Sequence, residues 1–327
     1  MFTDIEKVRF NTLTHALGTA ESIPYVLIKM ASPQREDREE ALYELYGMLW
    51  QQGRVFEATA PTIPFLLQLL QSPQVEDKAD IIILLAHLAT GTPYDELHQD
   101  QRFAAPQNTS RTRHEKKQLW KWAHASHEAV RLGLPIYLSL LDSDCPKIRY
   151  NVPYLLACFP EDRHKITKRL LSLVQPQNGE AFCSNMNELT HSSVLFSLGA
   201  LKHSSEEVQA YCEKALEHPH QLVQLAAATA LAQSTRLESG SKALSTLLHL
   251  IARANDELSD LYYQLPWSEG DVIGDSSLLL CQNSLLSNPE LLPSLVASLE
   301  LVEPYSLMKV VYTLLYLVFG EPDGNRV

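Results

Sequence analysis

Apolar residues recur at steps of three and four along most of the chain. Ala41, Leu42 and Leu45, then Ile81, Leu84, Leu85 and Leu88, then Leu222, Leu225, Ala226 and Leu231 each form such a stripe. At 3.6 residues per turn this spacing puts each set on one face of a helix. Prolines punctuate the stripes: Pro33, Pro73, Pro146, Pro176 and Pro219 each stand shortly before a new helical pattern, where the ring biases the preceding residue away from helical geometry. Four further segments share one pattern, Ile23-Pro24-Tyr25-Val26-Leu27, Ile63-Pro64-Phe65-Leu66-Leu67, Leu134-Pro135-Ile136-Tyr137-Leu138 and Leu292-Pro293-Ser294-Leu295-Val296. Each reads as a short helix with proline in its first turn, where the missing N–H has no intrahelical partner to lose. Two helices per unit follow.

The spacings set the architecture. Pro24 to Pro64 is 40 residues, Pro64 to Pro135 is 71, and Pro135 to Pro293 is 158. These correspond to one unit of about 40, one unit carrying an insertion, and about four more units, within the range of helical-repeat arrays. The expectation is an all-α, α-α superhelix of about seven helix pairs. Repeats would occupy 1–90 and 124–320, with an insertion loop over 91–123 and a flexible tail over 321–327. A single pair cannot bury its own apolar face. Neighbours must stack, and burial at ~25 cal/mol per Å² then offsets an ordering cost of ~1–2 kcal/mol per residue. Ala226, Ala227, Ala228 and Ala230 would let adjacent helices approach closely. Val310 to Phe319 is apolar nearly all round, so it should be covered by preceding helices or by another chain.

The pattern resembles the HEAT-repeat family of α-solenoids, HEAT-like and armadillo-type, whose usual unit is a Pro-Leu-Leu helix, a proline turn and a Val-Arg-x-Ala-Ala helix. Five residues beyond the turn prolines stand Arg38, Lys78 and Gln224, preceded by Asp37, Asp77 and Val223. Family members commonly link successive units by an aspartate–arginine ladder, which Gln224 would interrupt. The resemblance covers about three quarters of the chain. It implies a concave binding face, and it is nearly silent on activity.

Composition narrows the class. With 45% hydrophobic residues and 12 glycines, helices are favoured over strands and disorder. Cys145, Cys158, Cys183, Cys212 and Cys281 are scattered, without the pairing of a zinc site or a disulfide framework, so reduced and mostly buried thiols are expected. Asp4, Glu6, Lys7 and Arg9 interrupt the N-terminus where a secretory signal would be apolar. The longest apolar runs are too short to span a bilayer. A cytoplasmic protein of bacterial type, with no membrane contact, is the expectation.

Formal net charge is −12, but Arg102 to Lys121 carries +5, leaving −17 on the remainder. An acidic body repels nucleic acid and steers basic proteins toward it. The strongest candidate positions lie in two segments. In the insertion, Arg111, Arg113, Lys116 and Lys117 would meet an acidic surface while Trp120 and Trp122 anchor; the alternative is a connector whose Trp120 packs back on the body. His114, His124 and His127 show no diagnostic metal spacing and are read as structural or solvated. In the C-terminal half, Trp267, Glu269, Asp271 and Asp275 fit no calcium loop. They form either an exposed hot spot for a basic partner or a turn in which Asp275 caps a helix starting at Ser276. Tyr262 and Tyr263, just upstream, would either extend that patch or lie in the core, the latter being the expectation.

No nucleophile elbow, phosphate loop, kinase signature or zinc-protease motif occurs, which weighs against an enzyme without excluding one. No cofactor or metal is expected. The leading expectation is a scaffold, adaptor or inhibitor holding a basic protein on an acidic concave face, in its sharpest form an immunity protein against a basic toxin. The resemblance also reaches HEAT-like subunits of phycobilin lyases, a second reading. DNA-repair proteins with HEAT-like units are a third, opposed by a pI near 5.5.

Overall fold

The computed structural model describes residues 2–91, 113–175, 186–234, 237–238, 240–282 and 291–320. Among the described residues it is all-α apart from two short hairpins, and the chain divides into two compact units, Met1–Ile148 and Arg149–Val327. Pro176, Arg111, Cys183 and the tail 321–327 lie outside the described residues.

Unit 1 begins with a hairpin, β1 Thr14–His15 against β2 Gly18–Thr19, that leads into α1 Ile23–Lys29 and α2 Arg35–Leu49. A second hairpin, β3 Trp50–Gln51 against β4 Arg54–Val55, leads into α3 Thr59–Gln71 and α4 Lys78–Ala89. The hairpin is therefore part of the repeating element. The first hairpin is tied to the helices that flank the second by backbone bonds from Ala16 N to Met48 O (3.1 Å), in α2, and from Ala58 N, at the start of α3, to Thr14 O (3.0 Å). Pro24 sits in the first turn of α1 as expected, but Pro64 lies inside α3. That helix starts a turn earlier because the Thr59 hydroxyl accepts from Phe56 N and donates to Leu49 O, each at 2.9 Å.

The ladder position is occupied in the first two repeats. Arg38 is 5% exposed; its guanidinium bonds Asp77 and, at 2.7 Å, Glu76, and also reaches the carbonyls of Ser32 (3.1 Å) and Pro33 (3.2 Å). One side chain thus closes its own turn and joins α2 to the start of α4.

The expected loop 91–123 is helical over its last residues: α5 spans Arg113–Arg131 and packs on α3, α4 and β4. Its buried face carries Ala123, Ser126 and Val130. The Ser126 hydroxyl donates to Leu88 O at 2.7 Å, and His127 Nδ1 lies 3.0 Å from Ala89 O. These contacts serve carbonyls that the end of α4 leaves without helical partners. α6 Leu134–Leu140 follows, again with proline in its first turn, then α7 Pro146–Leu156.

Unit 2 contains α8 Arg163–Val174, α9 Glu188–Ala200, α10 Glu206–Ala215, α11 Gln221–Ser234, α12 Lys242–Ala252, α13 Asp256–Tyr263, α14 Val272–Gln282, α15 Leu291–Ser298 and α16 Leu307–Phe319. In chain order the described helices form seven pairs, with α5 and α13 as additions. Side-chain caps set several starts: Asn187, Ser205, Ser241 and Asn255 each accept from the amide three residues on. Helix α9 is buried on every side from Thr190 to Gly199 and packs on α8 and α11. The small-residue contact expected on α11 is present: a Cβ at Gly199 would lie 2.5 Å from Ala230 Cα.

Gln224 stands at the Arg38 position of α11 and bonds the His218 carbonyl at 2.7 Å, six residues back, as Arg38 does with Ser32. It keeps the local half of the ladder. The described residues thus form an α-α repeat fold of successive helix pairs.

Candidate functional site

In unit 2 a cleft of about 340 Å³ opens between α7, α9, α11, α13 and α14. Its walls include Tyr154, Phe196, Tyr262 and Trp267, with Thr229 and Gln233 one turn apart on α11, and Glu269 and Asp275. Trp267 is the centre of the aromatic wall. Its ring meets Tyr154 edge-on (centroids 5.0 Å, 88°) and Phe196 at a tilt (5.7 Å, 31°), and Phe196 continues to Tyr262 at 6.2 Å. The Trp267 indole N–H donates to Ser193 Oγ at 2.9 Å, and Ser193 in turn donates to Tyr150 O at 2.6 Å. The indole is thereby held by α9 and α7 before anything binds, which lowers the ordering cost of recognition.

The turn bearing these residues is anchored by buried acids. Asp271, 4% exposed, caps α14: Oδ1 accepts from Gly274 N (2.6 Å), Oδ2 from Glu303 N (2.7 Å), and its own N–H donates to Ser306 Oγ (2.9 Å). Helix α14 therefore starts at Val272, and the expected cap by Asp275 before Ser276 is corrected. Asp271 wins because α14 is followed in space by Ser306 and Glu303, whose groups complete its shell. Asp275 sits one turn inside the helix; Oδ2 accepts from the Tyr262 hydroxyl (2.9 Å) and Glu269 N (3.0 Å), while Oδ1 pairs with Lys309. Gly274 permits the approach, since a Cβ there would meet Ser306 Cβ at 2.6 Å.

Charge around the cleft is unbalanced. Among the described lining residues the charged ones are Glu269 and Asp275, and Lys309 is bonded to Asp275 and the Glu269 carbonyl, which leaves the Glu269 carboxylate as the excess charge. The tyrosines register this. Burial first, then Cys158 and Glu269, push Tyr154 up to about 12, and burial followed by Asp275 holds Tyr262 well above its ordinary value. Burial, the larger cause, disfavours a charge of either sign, and only the smaller contributions of Glu269 and Asp275 oppose a negative charge in particular.

The candidate positions read from the sequence divide between the two units. Trp267, Glu269 and Asp275 come together in the cleft, whereas Asp271 is removed from it as a cap. The exposed hot spot expected of these acids is corrected, because Glu269 alone among the three is exposed. Tyr262 is buried and lines the cleft, while Tyr263, expected in the core, is 44% exposed. In unit 1, Arg113 and Lys116 belong to α5, and their side chains lie outside the described set, as does Arg111 entirely. Lys117 and Trp120 are exposed on α5 and Trp122 is half-buried. Trp120 is therefore presented by a packed helix.

Reactive groups elsewhere are arranged as structure. His191 Nε2 lies 2.6 Å from the Tyr211 hydroxyl with the His218 ring 5.2 Å away, but His191 and Tyr211 are both buried. Cys158 and Cys212 thiols are pushed up to about 12, mainly by burial, and Cys145 is exposed. Among the described residues no three ligand-type side chains converge on a metal position, and no helix is long and apolar enough to cross a membrane.

Tyr154, Phe196, Thr229 and Gln233 escaped the sequence reading. The nearest signals were Pro153 inside an otherwise helical run before Tyr154, and the polar Thr229 and Gln233 spaced one turn apart on an alanine-rich helix. Neither marks a site without the fold.

No protein-family model matches this chain, and no curated protein matches it. Solved structures are similar at low identity. A chain from the complex of CpcE and CpcF of phycocyanin lyase from Nostoc sp. PCC7120 aligns at 14% identity and TM-score 0.49, covering 92% of this chain and 96% of that one. A designed armadillo repeat protein in complex with the peptide (KR)4 aligns at 13% identity and TM-score 0.39, covering 90% and 100% respectively.

Proposed function

We propose that this chain is a non-catalytic interaction protein, an adaptor or inhibitor, that holds a basic segment of another protein in the cleft of unit 2. The observation that carries this reading is the pre-positioned Trp267, walled by Tyr154 and Phe196 and set beside the exposed carboxylate of Glu269. An aromatic face attracts a cation by ~0.5–2 kcal/mol, more as water is excluded, and Glu269 at the rim supplies the counter-charge. The acidic composition, −17 outside the basic segment, would speed encounter with such a partner. Inhibition of a basic toxin is the sharper form of the same reading.

The test is a fluorescence titration of the full chain with a short arginine-rich peptide and its glutamine-substituted counterpart. The arginine peptide is expected to bind and to weaken with salt, and Trp267→Ala to reduce affinity by roughly tenfold or more, about 1.4 kcal/mol. Equal binding of both peptides, or no effect of Trp267→Ala, would overturn the reading.

A further inference from the structure

Helix α16 buries one face and leaves the other bare. Val310, Thr313 and Tyr316 are buried, on the side where α16 packs against α14 and α15. On the opposite side Met308, Leu315, Val318 and Phe319 each expose more than half of their surface, as does Tyr305 just before the helix; Val311 is half-buried between them. Plotted at 100° per residue these positions fall in one stripe, with Met308, Val311, Leu315 and Val318 at steps of three, four and three. That is the spacing at which one helix fits its side chains into the gaps of another.

We propose that a second copy of this chain covers the stripe, pairing α16 with α16 about a twofold axis. Each chain carries −12, which opposes association over most of the surface, but the stripe is free of charge, since the one charged residue of α16, Lys309, is turned inward to Asp275. Two stripes can meet without burying an unpaired charge. Aromatic side chains such as Tyr305 and Phe319 bury ~150–250 Å² each, and with the smaller Met308, Leu315 and Val318 the exposed set offers on the order of 600 Å², approaching the ~800 Å² each partner contributes to a stable interface. Solvent-exposed apolar patches of this extent mark association surfaces. A stripe that matches itself gives a closed, isologous pair instead of an open chain. The pairing is independent of the cleft.

The test is sedimentation velocity of the full chain from low to high micromolar concentration, with Leu315→Lys in parallel. The wild type is expected to shift with concentration toward the mass of two 36.8-kDa chains. Leu315→Lys should raise the dissociation constant at least about tenfold, with an unchanged helical circular-dichroism spectrum and melting midpoint because Leu315 points to solvent. A monomer at every concentration would overturn the proposal and leave the stripe to a different protein. So would a ladder of larger species, or a dimer that Leu315→Lys leaves intact.

Discussion

Acidification should unfold this protein through one buried imidazole. His191 on α9 is 1% exposed; its Nε2 lies 2.6 Å from the Tyr211 hydroxyl, and the His218 ring stands across it at 86°. Burial, with the charge of His218 adding to it, lowers its pKa to about 4, against an unfolded value of ~6.5. The unfolded chain therefore binds the extra proton first. The stability due to neutral His191 is fully present above pH 6.5 and is lost as pH falls toward 4. At 1.36 kcal/mol per unit the full effect is about 3 kcal/mol, of which roughly 2 kcal/mol is gone at pH 5. Urea unfolding at pH 7.5 and pH 5, followed by circular dichroism, would measure it for the wild type and for His191→Gln, which cannot titrate but can still accept from Tyr211. His218, itself lowered mainly by burial, titrates in both proteins, so the difference between their pH dependences isolates His191. Equal dependences would refute the argument. Should the variant fail to fold, an NMR titration of the wild-type His191 ring serves instead, and a midpoint above 6 would be the refuting result.

Two further outcomes follow from the packing. Arg38→Gln should lower the melting temperature less than Arg38→Ala, because glutamine can keep the bond to the Ser32 carbonyl as Gln224 does with His218; equal losses by calorimetry would show that the Asp77 and Glu76 bonds alone matter. Gly274→Ala should destabilise by about 1–3 kcal/mol through the clash with Ser306, and a variant with wild-type urea unfolding would show that the α14–α16 contact yields easily.

The helix pairs were legible in the chain because their causes are local. Pro24 and Pro135 stand in the first turn of their helices, where the fixed φ suits the helix and the missing N–H costs nothing, and the three- and four-step stripes of α2, α4 and α11 reflect the fixed pitch of the helix itself. Helix α5 was not legible, since its buried face is Ala123, Ser126 and Val130 and has little apolar contrast; it is buried because Ser126 and His127 complete the end of α4, a contact 38 residues away. The choice between Asp271 and Asp275 as cap was equally hidden. Both are acids beside glycine in sequence, and Ser306 and Glu303, more than 30 residues downstream, separate their roles. The cleft draws Tyr154, Phe196 and the pair Tyr262 and Trp267 from three separate stretches. Helix formation depends on residues within a turn of one another, whereas a binding cleft is made by side chains that meet only when the helices pack.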